Sequence, residues 1–112
     1  PDSVINIGIQ AFTANQLKEL RLPKGITMIS QAAFSVNKLT SVEIPNGVTE
    51  IRSDAFVNNQ LNSVTIPNSV LTIENNAFRD NLLTKVTLGP DTTYSPYSFD
   101  STVEIVGGKL IN

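Results

Sequence analysis

Residues 39–60 read LTSVEIPNGVTEIRSDAFVNNQ, and residues 61–82 read LNSVTIPNSVLTIENNAFRDNL. The two segments align without a gap at a period of 22 residues. A fixed period in the twenties is the signature of a stacked-repeat solenoid. The same columns run outward in both directions. Phe12, Phe34, Phe56 and Phe78 are spaced by 22, as are Asn15, Asn37, Asn59 and Asn81, and Leu17, Leu39, Leu61 and Leu83. The pair Leu20 and Leu22 recurs as Val42 and Ile44, as Val64 and Ile66, and as Val86 and Leu88. Ile26 and Ile29 recur as Val48 and Ile51 and as Val70 and Ile73, and an alanine precedes each of the four phenylalanines.

One repeat translates directly into local structure. In L-x-x-V-x-I, Val42 and Ile44 alternate with Ser41 and Glu43, the pattern of a short half-buried strand. Pro45 ends it, because proline has no N–H for a ladder. Asn46-Gly47 is a turn signal, varied as Lys24-Gly25 and Asn68-Ser69. Val48 and Ile51 point inward from a second short extended segment. Ser53-Asp54-Ala55-Phe56 reads as one turn of 3₁₀ or α-helix that brings Ala55 and Phe56 inside. One unit cannot bury its apolar side alone. Stacked units give every strand a parallel neighbour about 4.8 Å away and join their apolar sides into one core. Phe56→Ala in that core is expected to cost about 3–5 kcal/mol.

The ends depart from the pattern. Val4, Ile7, Ala11 and Phe12 fit the second half of a repeat whose first half is missing, and the chain opens on Pro1. The expectation is a fragment or processed piece of a longer protein. After Leu88, Gly89-Pro90 replaces the proline turn, Thr92 and Ser95 stand where the apolar pair is due, and Phe99 arrives one residue early. Val103 and Ile105 suggest a further strand with those two inward, and Tyr94, Pro96 and Tyr97 add bulk. Such a degenerate terminal repeat commonly caps the core. The last seven residues, from Val106, fit either a terminal strand or the start of a following segment. The whole is one domain over 1–112: a partial repeat 4–16, repeats 17–38, 39–60 and 61–82, and a cap over 83–112.

Composition closes off several functions. The chain has no Cys and no His, which removes thiol nucleophiles, Ser-His triads, disulfides and the usual zinc sites. A net charge of −2 offers no basic stripe for nucleic acid and no attraction to an anionic membrane surface. No apolar run approaches a membrane span. Asp54, Asp80 and Asp91 lack calcium-loop spacing, and Gly107-Gly108 is too short to cradle a phosphate. No catalytic, cofactor-binding or metal-binding residues are expected, and no cofactor.

The pattern L-x-x-V-x-I-P-x-x-V-x-x-I-x-x-x-A-F-x-x-N, from about Val4 to Leu88, resembles the BspA-type leucine-rich repeat, also called the Treponema pallidum type. The family's usual form has Cys near Asn37, Asn59 and Asn81 and Gly after the second Ile; here Asn stands for the former, and Ser30, Arg52 or Glu74 for the latter. The resemblance implies a right-handed solenoid of the α/β repeat class, rich in β. It further implies a concave parallel sheet, with 3₁₀ or α turns on the convex side. It also implies a bacterial or protist protein that is extracellular or on the cell surface, with adhesion to host matrix proteins or other cells.

Three groups of polar residues compete as sites. The column Asn15, Asn37, Asn59 and Asn81 reads as scaffold, because a buried Asn satisfies backbone groups that irregular turns leave unpaired. The outward strand positions form two columns, Glu19, Ser41, Ser63, Lys85 and Thr102 in one and Arg21, Glu43, Thr65, Thr87 and Glu104 in the other. This face is the candidate partner-binding surface. Arg21 is expected beside Glu43 and Thr65 beside Thr87, pairs that equally serve only to support the sheet. The mixed charges at Arg52-Ser53-Asp54, Glu74-Asn75-Asn76 and Arg79-Asp80 read as a solvated face. The leading expectation is a protein-interaction module binding a host matrix or cell-surface protein. The alternative is a spacer that holds another domain away from the cell. The chain itself is expected to be a monomer, or an end-to-end dimer through an exposed solenoid end.

Overall fold

The computed structural model describes Ile7, Gly8 and residues 10–111; Val4 lies outside the described residues. Among the described residues, nine short strands follow in sequence order: β1 (Met28–Ile29), β2 (Ser41–Glu43), β3 (Glu50–Ile51), β4 (Ser63–Thr65), β5 (Thr72–Ile73), β6 (Lys85–Thr87), β7 (Thr93–Tyr94), β8 (Glu104–Val106) and β9 (Lys109–Leu110). Odd and even strands go to different sheets. The odd strands form one parallel sheet in the order β1-β3-β5-β7-β9, while the even strands pair as β2-β4 and β6-β8. The period sets the register: Ile29 lies beside Ile51, Ile51 beside Ile73, and Val42 beside Val64. The chain therefore winds as a solenoid of parallel strands, and the two apolar pairs of a repeat supply one strand to each wall.

The core lies between the walls. Leu39, Val48, Ile51, Ala55, Phe56 and Leu61 are completely buried. Phe12, Phe34, Phe56, Phe78 and Phe99 stack with ring centroids 5.4–5.5 Å apart. That separation exceeds the strand spacing of about 4.8 Å, so successive rings are offset, the arrangement that aromatic quadrupoles favour.

The asparagines are scaffold. Asn59 is buried; its Oδ1 accepts the Leu39 N–H at 3.1 Å, and its Nδ2 donates to the carbonyls of Phe34 and Phe56, each at 3.0 Å. Asn37 and Asn81 repeat this one coil earlier and one coil later. Each of the Phe34 and Phe56 carbonyls thus takes two amides, one from its own coil and one from the next. Asn15, at the first coil, is exposed.

The segment expected as a helical turn is built differently. No helix occurs among the described residues. Ala55 N–H bonds back to Arg52 O and Val57 N–H to Asp54 O, whereas the alternate N–H groups of Asp54, Phe56 and Asn58 donate to the next coil. Alternation requires two left-handed residues per coil, found at Ala32 and Val36, Asp54 and Asn58, and Asn76 and Asp80. The result is a third hydrogen-bonded ladder along the axis.

The last coils shorten. Thr72 faces Thr93, an offset of 21, and Thr93 faces Lys109, an offset of 16. Thr92 keeps the Val70 place, fully buried, with its hydroxyl donating to the Val70 carbonyl at 2.6 Å. One residue is thus missing between the equivalents of Val70 and Ile73. Tyr94, not Ser95, therefore occupies the Ile73 position, and its ring meets Phe99 edge-on. Val103 is buried and Ile105 packs against the core, as expected. Gly107-Gly108 then turns the backbone across the end of the core. Both have positive φ, and a Cβ on Gly107 would collide with the Leu88 carbonyl oxygen. This turn sends the C-terminal segment into β9, a terminal strand of the larger sheet.

Candidate interaction face

In β2 and β6 the middle residue is buried and its two neighbours are exposed, as alternation across a one-sided sheet requires. In β4 the middle residue, Val64, is only half-buried. This leaves Ser41, Glu43, Ser63, Thr65, Lys85 and Thr87 on one outer face. Glu19 and Arg21 continue it one coil earlier, both exposed, and a parallel bridge holds Arg21 beside Glu43. Ser41 lies beside Ser63 and Glu43 beside Thr65. Of the ten residues expected on this face, the eight from Glu19 to Thr87 are exposed on it. The face is not one continuous sheet: β4 and β6 are neighbours that close no ladder, so Thr65 and Thr87 are not register partners.

The two outward columns end differently from the expectation. Lys85 faces Glu104 and Thr87 faces Val106, an offset of 19. Glu104 therefore belongs to the Lys85 column rather than the Thr87 column, Thr102 precedes the strand, and Val106 ends the second column. The reason is the short final coil, in which Phe99 is followed by β8 sooner than Phe78 is by β6. Column alignment missed Val106 because only the backbone register reveals it.

The surface is open. One shallow depression is lined by Glu19, Arg21, Leu22, Ser41, Glu43 and Pro45, and the next by Glu43, Asn46, Ser63, Val64, Thr65 and Pro67. Charges of both signs alternate with small hydroxyls. Among the described residues, Arg21 and Glu43 form no ion pair, so both charged ends stay available to solvent. No group of three His, Cys, Asp or Glu residues converges among the described residues, and no helix there is long and apolar enough to cross a membrane.

Three of the charges on the turn side, Arg52, Glu74 and Arg79, are engaged in ion pairs. Arg52 lies 3.7 Å from Glu50 and 3.4 Å from Glu74, while Glu74 also accepts the Ser53 N–H at 3.0 Å. Arg79 approaches Asp100 at 3.9 Å, and Asp100 accepts the N–H groups of Asp80 and Asn81. Exposed pairs of this kind contribute about 0–1 kcal/mol each, so they tie adjacent coils lightly.

In comparison with known families, the one described as BspA type leucine rich repeat region matches residues 1–106 in six copies. No match was found among curated proteins or among solved structures.

Proposed function

The chain belongs to the BspA-type leucine-rich repeat family, and from that premise we propose that it is a protein-interaction module of a secreted or cell-surface protein, engaged in adhesion to host or matrix proteins. Leucine-rich repeats generally serve as protein-interaction or repeat modules, and this family is typical of surface or secreted bacterial proteins. The observation that carries the reading is the face itself. Ser41, Glu43, Lys85 and Thr87 stand exposed on short parallel strands whose inward residues anchor them to the core, and Glu19 and Arg21 extend the face one coil earlier through the Arg21–Glu43 bridge. Backbone order is already fixed there, so the face itself loses little entropy when a partner docks on it.

A second reading, a spacer without a partner of its own, is favoured by one feature. Ser41, Ser63, Thr65 and Thr87 are small and neutral, and the face has no aromatic anchor of the kind that concentrates binding energy. Surface-plasmon binding to a panel of matrix and serum proteins separates the two, with an Arg21→Glu/Lys85→Glu variant run in parallel. Saturable binding lost in the variant supports adhesion through this face. Saturable binding retained in the variant moves the contact to the turns, and no binding across the panel favours the spacer.

A further inference from the structure

We propose that Asn46 is a site of spontaneous succinimide formation, which converts a neutral amide at the edge of the candidate face into a carboxylate. Asn46 and Gly47 are the two central residues of the turn 45–48, closed by the Val48 N–H on the Pro45 carbonyl at 3.1 Å. Both are exposed, and Asn46 lines the depression between β2 and β4. Among the described residues, no hydrogen bond engages the Gly47 N–H or the Asn46 amide group. The nucleophile and the electrophile are therefore adjacent, exposed and held by no hydrogen bond of their own, and Gly47 has no Cβ to shield its nitrogen.

The same turn one coil later provides the contrast. There Asn68 is followed by Ser69, whose hydroxyl donates to the Val48 carbonyl at 2.8 Å. Asn68 is packed against Gly89 so closely that a Cβ there would lie 2.6 Å from its Oδ1. Asn68, though also exposed, thus has a close neighbour and a successor whose side chain is tied to the preceding coil, where Asn46 has only glycine after it.

The chemistry requires only water. The Gly47 backbone nitrogen attacks Cγ of Asn46, forming a C–N bond and a five-membered imide. The bond from Cγ to Nδ2 breaks, the proton from the Gly47 nitrogen goes to the departing Nδ2, and ammonia leaves. Water then opens the imide at either carbonyl, giving aspartate or isoaspartate. Either product adds a negative charge near Glu43, and isoaspartate also adds a carbon to the backbone within the turn. The reaction does not depend on whether the face has a partner.

The test incubates the intact protein in native buffer at mildly alkaline pH. Peptide mapping by mass spectrometry and enzymatic methylation of isoaspartate follow each asparagine, with a synthetic peptide covering residues 43–50 as the unfolded reference. Acid is expected to accumulate at Asn46 at least several-fold faster than at Asn68. Gly47→Ala should slow it several-fold with the circular dichroism spectrum unchanged, since a Cβ there meets nothing closer than the Ile26 carbonyl oxygen at 3.7 Å. Asn46→Ser, which lacks the reacting amide, should leave residue 46 unconverted. The proposal is overturned if Asn46 keeps its amide in the folded protein while the peptide converts. Equal rates at Asn46 and Asn68, or a rate indifferent to Gly47→Ala, overturn it too.

Discussion

Replacing Asn59 with alanine removes the group that ties two adjacent coils together. The Leu39 N–H loses its acceptor and, deep between coils, has no other. An orphaned buried donor costs about 1–3 kcal/mol. The carbonyls of Phe34 and Phe56 each lose one of two amides but keep the other, from Asn37 and Asn81 respectively. Those lost bonds add only about 1–2 kcal/mol together, at the lower end of the usual net value per bond. The expected loss is about 2–5 kcal/mol, a large share of the roughly 5–15 kcal/mol that holds a domain of this kind folded. Asn15→Ala is the matched control, because the Asn15 amide group is exposed and makes no hydrogen bond among the described residues. Urea unfolding followed by circular dichroism gives the difference. Amide exchange at Leu39 reports it locally, which matters for a stack whose coils need not melt together. If Asn59→Ala falls within about 0.5 kcal/mol of the control, the range of a featureless surface change, the account of the column is wrong.

Three further outcomes are expected. Phe56→Ala should cost about 3–5 kcal/mol, whereas Phe12→Ala should cost clearly less, because Phe12 is 41 % exposed and Phe56 is 0 % exposed; comparison of their urea midpoints checks this. Val36→Asn should stabilise the fold by about 1 kcal/mol, since a β-branched residue at φ 54° gives way to the type already found at Asn58, and the melting temperature should rise. Gly107→Ala should destabilise by more than the roughly 1–2 kcal/mol of a left-handed alanine, because its Cβ also collides with the Leu88 carbonyl; thermal unfolding reads the loss.

The repeat was legible because buried positions tolerate few residue types. The phenylalanine, leucine and asparagine columns each answer to one packing or hydrogen-bonding demand, and the period follows from them. The left-handed turns were not legible. Ala32 and Asp54 say little about φ, and Ala55-Phe56 fits a helical turn equally well. What decides is the inter-coil ladder, a long-range partner that a local segment does not display. The missing residue ahead of Tyr94 was obscured for a related reason. Thr92, Thr93 and Ser95 are all polar, so residue type does not tell which of them lost its predecessor, and only the pairing of Tyr94 with Ile73 does. The outer face was readable from strand alternation alone up to Thr87. Beyond it, the shortened coil shifted Glu104 and Val106, and no column marked the shift.

The direction of the three ladders has a mechanical consequence. Their hydrogen bonds run along the stack, so a pull on its two ends loads one coil boundary at a time and does not shear a whole sheet at once. Under tension the molecule should peel like a spool. Each released 22-residue coil would yield about 70–80 Å of extended backbone, in place of the roughly 4.8 Å it occupied when stacked. A protein built this way absorbs a sudden load by lengthening in discrete steps, and rewinds on the template of the coils that remain.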